Sequence, residues 1–188
     1  PYTKWHQELY KNYLEIHPED LEISFVLSQL MLSNGQSIDA EVYIDKLLKV
    51  QPNNPQLQKY KSICRISNDD WDNAILYGQK AYGLIPTDEQ LNLILGTAFY
   101  YKKEFSNVVT HLSKIAENLP NDHQALRMLV AAQLKLGLTL DAHSVLINFE
   151  GKNAHDALLS SSAGLQLLQA GEKDKAKQLL NSSMSAQK

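Results

Sequence analysis

Residues 86–120 read PTDEQLNLILGTAFYYKKEFSNVVTHLSKIAENLP, an interval that opens and closes on proline. The same interval recurs outward in both directions. Pro18, Pro52, Pro86 and Pro120 stand 34 residues apart, and the next step falls on Ala154. A second series, Ala40, Ala74, Val108, Ala142 and Ala176, keeps that period. A third runs Gly35, Asp69, Lys103, Gly137 and Gly171. Three of its five positions hold the residue best able to turn a chain with positive φ at a helix end. Three series in one register mark a tandem repeat.

Each interval reads as two helices. In the fourth, Leu126, Leu129, Val130, Leu134 and Leu136 recur at helical spacing, Gly137 stops the helix, and Ala142, Val145, Leu146 and Phe149 resume the pattern. The joints carry matching punctuation: Pro52 then Asn53, Asn54 and Pro55; Pro86 then Thr87, Asp88 and Glu89; Pro120 then Asn121 and Asp122. Proline is expected to end one helix, and the Asn, Asp or Thr to cap the next, where acidic side chains suit the helix dipole.

This period and pattern resemble the tetratricopeptide repeat family. Residues 86–120 match it best: Leu95, Gly96 and Phe99 stand at its Leu-Gly-Tyr positions, Phe105 at the aromatic of the turn, and Leu112 and Pro120 follow. Trp71 holds the place of Phe105 one period earlier. The resemblance covers nearly the whole chain. It implies an all-α fold, a right-handed solenoid of helical hairpins in one array: a second-helix half repeat at 1–20, then repeats at 21–54, 55–88, 89–122, 123–156 and 157–188. The second unit departs from the pattern. Lys61, Ser62 and Arg65 take positions for Leu, a small residue and Tyr, while Leu57, Tyr60, Ile63 and Cys64 supply its apolar face. That leaves open a rotated or locally irregular first helix.

The chain begins at Pro1 with no leader pattern and ends soon after Met184 without a polar capping helix, so it is expected to be a piece of a longer protein. Apolar flanks at the two ends are then expected to favour self-association. A narrower resemblance rests on LVAAQLKLG (129–137) followed by DA (141–142), and on SAGLQLLQAGEKDKAKQLL (162–180). It points to bacterial envelope repeat lipoproteins of the PEP-CTERM/exosortase type and implies a periplasmic location, against a cytoplasmic one without it.

The composition, 44% hydrophobic and 21% charged with a net charge of -3, suits a folded domain and supplies no global field for nucleic acid. No apolar run is long enough to span a membrane. The lone cysteine, Cys64, excludes an internal disulfide framework and reads as a small core residue. His6, His17, His111, His123, His143 and His155 form no ligand pair at metal-binding spacing, and no phosphate loop or nucleophile elbow is present. Asp69, Asp70 and Asp72 lack the ligand ladder of a calcium loop and read as helix-start acids. Ser160, Ser161 and Ser162 suit close helix packing. The chain is therefore expected not to be an enzyme and to need no metal or cofactor.

First helices of the family line a concave channel, and the resemblance implies a peptide-binding groove there. Its candidate residues are Phe25, Gln29, Lys59, Gln90, Tyr100, Tyr101, Arg127 and Lys135. Packing between helices is an equal reading for the two tyrosines. The first fourteen residues of the five units hold six cations, Lys59, Lys61, Arg65, Lys102, Arg127 and Lys135, against Glu22 and Glu89, a net +4. Two uses of that charge remain open: steering an acidic segment of a partner protein, or cations that merely snorkel from core positions. The family's clamp for chaperone C-termini is not reproduced, since Phe25 and Gln29, Lys59 and Ile63, and Leu93 and Thr97 occupy its positions. Such peptides should bind weakly or not at all, and micromolar calorimetric affinity would overturn this register. The expected role is a scaffold binding another polypeptide. The alternative is an accessory domain of an envelope polysaccharide export or secretion system, contacting a glycan or its synthase.

Overall fold

The computed structural model describes residues 2–149 and 154–185. Among them are eleven α-helices: α1 (Tyr2–Ile16), α2 (Leu21–Ser33), α3 (Ser37–Val50), α4 (Pro55–Ser67), α5 (Trp71–Tyr82), α6 (Glu89–Tyr101), α7 (Phe105–Leu112), α8 (Gln124–Lys135), α9 (Thr139–Leu146), α10 (Ala154–Gln169) and α11 (Lys173–Ser185). No strand occurs among the described residues. The chain divides into two compact units, residues 1–98 and 99–188, with the division inside α6.

The period is written into the turns within each hairpin. Gly35, Gly137 and Gly171 take φ of +73°, +74° and +84°, and Asp69 and Lys103, at the same step of the repeat, take +55° and +61°. All five adopt the left-handed conformation, so the geometry is dictated by the hairpin and not by the presence of glycine. For Asp69 and Lys103 the Cβ makes this conformation unfavourable by roughly 1–2 kcal/mol. Lys103→Gly should therefore raise unfolding free energy by about 1 kcal/mol in a denaturant titration. A loss of stability would show that Lys103 is held by something other than its backbone.

The joints between hairpins are capped. Asp20 accepts from the Ile23 N–H at 2.9 Å, Asn54 from Gln56 at 3.0 Å, and Asp88 from Leu91 at 2.7 Å. Asn54 with Pro55 gives α4 a regular start, and α4 runs unbroken to Ser67. The second unit's first helix is thus neither rotated out of register nor irregular. Ion pairs, described below, allow its lysines to be buried.

Prolines do less than expected. α7 ends at Leu112, well before Pro120, and the interval holds a 3-10 turn at Ala116–Asn118. α9 also stops early, at Leu146. The last first-helix is described from Ala154, ahead of the repeat boundary at 157, so Asp156 lies within α10.

Each unit has its own core. In residues 1–98 Leu14, Leu27, Met31, Ala40, Ile44, Tyr60 and Cys64 pack together; in residues 99–188 Val130, Leu134, Ala142, Leu146, Leu159, Ala163, Leu167, Ala176 and Leu179 do so. Members of the alanine series thus supply contacts where two helices approach closely. Gly164 does the same: a Cβ there would lie 2.8 Å from Leu180 Cγ. Cys64 is a buried core residue, and burial pushes its thiol up to about 11. Trp71, Phe105 and Phe149 are only half-buried.

Candidate functional site

The residues expected to bind a ligand separate into two groups. In residues 1–98, Gln29 and Gln90 are exposed, while Phe25 is half-buried and stacks on Tyr60 at 5.9 Å between ring centroids. Lys59 is buried, and its Nζ donates to Asp88 Oδ2 at 2.7 Å. The carboxylate of Asp88 thereby caps α6 and neutralises a lysine of α4. Its pKa is lowered because the Lys59 hydrogen bond and the Leu91 N–H outweigh the opposing effect of burial.

Lys61 and Arg65 follow on α4. Lys61 is buried and pairs with Glu41 at 2.8 Å and with Asp45; Arg65 pairs with Glu41 and, at 3.4 Å, with Asp70. The Lys61 ammonium also lies 5.8 Å from the centre of the Tyr77 ring. These two cations occupy core-facing positions, with their charge met by acids of α3 and of the following turn.

In residues 99–188, Arg127 repeats the role of Lys59 two periods later. Its Nε and Nη2 donate to the two oxygens of Asp156 at 2.6 and 2.9 Å, and Nη1 donates to the Asp122 carbonyl. Asp156 is only 3% exposed. The guanidinium lies 5.4 Å from the centre of the Phe149 ring. A bidentate pair of this kind fixes one helix against the next.

Tyr101 is 52% exposed and Tyr100 half-buried; their rings are edge-on with centroids 5.9 Å apart, and the Tyr100 and Phe105 ring centroids are 6.4 Å apart. Lys135 is exposed in the last turn of α8. The candidate set is therefore not one basic channel. Two of its three cations, Lys59 and Arg127, are neutralised inside the fold, as are Lys61 and Arg65 among the other first-helix cations.

Sequence reasoning missed a groove of about 770 Å³ in residues 99–188, between α7 and α9 with α8 as its floor. Its signal was present in the sequence. Val109, Ser113, Leu129, Gln133 and Val145 line it, and they stand two periods after Glu41, Asp45, Lys61, Arg65 and Tyr77. Among the described residues no cluster of His, Cys, Asp or Glu could hold a metal ion, and no helix is long and apolar enough to cross a membrane.

No protein-family model matches the chain. Over 84 residues it is 31% identical to cellulose synthase operon protein C of Pseudomonas fluorescens (strain SBW25), a stretch that is 45% of this chain and 6% of that protein. Among solved structures it superposes on YrrB, a TPR protein described as having an unusual peptide-binding site, with a TM-score of 0.75 at 18% identity, covering 96% of this chain and 93% of the other. MamA of Desulfovibrio magneticus RS-1 gives 0.64 at 14%, covering 90% and 96%. A tetratricopeptide repeat protein of Parabacteroides merdae ATCC 43184 gives 0.57 at 14%, covering 97% and 78%.

Proposed function

We propose that this chain, whose fold is the all-α solenoid of the tetratricopeptide-repeat proteins, is a non-catalytic scaffold that binds a segment of another polypeptide. The observation that carries this reading is the tyrosine pair at the end of α6: Tyr101 presents half of its surface to solvent beside Tyr100. Tyrosine supplies a large rigid contact with few side-chain torsions to freeze, together with a hydroxyl that bonds backbone groups. The peptide-binding site in YrrB's description is consistent with it. Because Lys59 and Arg127 are already paired, any preference for an acidic segment is assigned to Lys135. A photoreactive residue at position 101 should cross-link a discrete polypeptide in cells of the source. Tyr101→Ala should weaken binding of that polypeptide about tenfold, and Lys135→Glu should reduce its salt sensitivity. Binding of the cross-linked polypeptide that neither substitution changes would remove the assignment.

One observation favours a second reading, an accessory role in an envelope polysaccharide assembly: the stretch shared with cellulose synthase operon protein C. Saccharide-dependent tyrosine fluorescence, with no polypeptide cross-link, would favour it. Self-association is a further proposal. Trp5, Leu9, Tyr13 and Ile16 are exposed on α1, and Leu158, Leu165, Leu168 and Met184 on α10 and α11. Leu9→Glu with Ile16→Glu should then lower the concentration-dependent mass in sedimentation; an unchanged mass would exclude α1 as the contact.

A further inference from the structure

The groove between α7 and α9 has a counterpart in the first unit that is already filled. Between α3 and α5, the five equivalent positions hold Glu41, Asp45, Lys61, Arg65 and Tyr77, whose ion pairs and ammonium–ring contact occupy the space. In residues 99–188 the same positions carry Val109, Ser113, Leu129, Gln133 and Val145. No ion pair can form there, and the shortened α7 and α9 leave the space open.

Gln133 makes this opening more than a packing gap. One period on either side, the position is filled by Phe99 and Leu167, both buried apolar residues. Gln133 is as buried as they are, at 4% exposed, yet its Oε1 has no hydrogen-bond partner. A buried acceptor left unpaired is destabilising, and such groups in folded proteins call for an explanation. The lining also carries two exposed acids, Glu117 within the 3-10 turn and Asp141 in the first turn of α9, and no Lys or Arg.

We propose that this groove docks a segment of a partner protein that is both apolar and basic. Its apolar side chains lie against Val109 and Val145 above the buried Leu129, Lys or Arg side chains meet Glu117 and Asp141, and Gln133, whose Oε1 is closed to solvent in this structure, turns its amide into the groove to accept from the segment. Charge complementarity chooses this occupant over an acidic peptide, and the orphaned acceptor chooses a donor-bearing ligand over a purely apolar one. The surface is separate from the Tyr101 face, so each can fail without the other.

A phage-displayed library of random peptides, about twelve residues long, panned on the whole chain tests it. Enriched sequences should combine Lys or Arg with apolar residues. Their binding should fall at least tenfold in Glu117→Lys with Asp141→Lys, both exposed positions that leave the core untouched. On adding an enriched peptide, the side-chain amide resonances of Gln133 should move. Gln133→Leu should abolish binding while raising the melting temperature, because it removes the unpaired acceptor. Tyr101→Ala should leave this binding unchanged. Enrichment of acidic sequences, binding indifferent to the double charge reversal, or a lowered melting temperature in Gln133→Leu would each overturn the proposal. So would a dimer of the chain that the double reversal breaks, since it would assign the groove to a second copy.

Discussion

Arg127→Ala should lower the free energy of unfolding by about 3–5 kcal/mol, the range for removing one partner of a buried ion pair. The reason lies with the residue left behind. Asp156 is 3% exposed, and both of its oxygens accept from the guanidinium, so truncation strands a carboxylate where water does not replace the lost donors. The loss of the Asp122 carbonyl bond and of the Phe149 ring contact adds to it. Removing both charges with shape-filling residues, Arg127→Met with Asp156→Leu, should restore most of the stability, because the pair's attraction mainly offsets its own desolvation. Denaturant titrations of the three proteins decide the matter; a single substitution within about 1 kcal/mol of the parent would show that the pair is solvated. Lys59→Glu should behave like Arg127→Ala, since it sets a carboxylate against Asp88 at a side chain only 8% exposed. Lys135→Glu, at an exposed position, should be nearly neutral. Of the cations expected to steer a ligand, Lys135 is thus one whose reversal reports on binding without disturbing the fold.

That contrast shows what the sequence could and could not disclose. The period, the hairpins and the five left-handed turns follow from local backbone preferences and apolar spacing, which a single chain displays openly. Asp69 and Lys103 could be placed in the left-handed region only because glycines hold the same step elsewhere. The charge count over first helices was also correct as a count. It misled because a cation's partner is a three-dimensional fact: Lys59 meets Asp88, and Arg127 meets Asp156, across nearly a full period. Early termination of α7 and α9 was hidden for a related reason. Apolar spacing continues through Ile115 and Phe149, which still pack inward although the regular helix has ended. The groove followed from that shortening together with the exchange of five charged or aromatic residues for small or uncharged ones two periods later.

Stability should fall by about 3 kcal/mol as pH is lowered from 6.5 to 4, and His111→Leu should remove most of that slope. His111 sits on α7, is 6% exposed, and stacks on Phe99 at 5.6 Å with the rings nearly parallel. Burial pushes it down to about 4, and the nearby Lys114 charge acts in the same direction. The folded chain therefore holds the imidazole neutral through a range in which the unfolded chain takes up a proton. The resulting stabilisation is complete above pH 6.5, declines as pH falls, and is exhausted near pH 4, where both states are protonated. The lowered carboxylates add to the loss only at the acid end of this window: the contribution of Asp20, Asp70 and Asp88 starts to decline below about pH 5, as the unfolded chain is protonated, and is gone only below their lowered folded values. Leucine is a reasonable replacement because the positions one period away hold Tyr77 and Val145, so the site accepts apolar bulk. Urea titrations at half-unit pH steps would measure both proteins. A parent and variant with parallel profiles between pH 6.5 and 4 would mean that His111 is protonated in the fold, and that its ring does not face Phe99 in an environment closed to water.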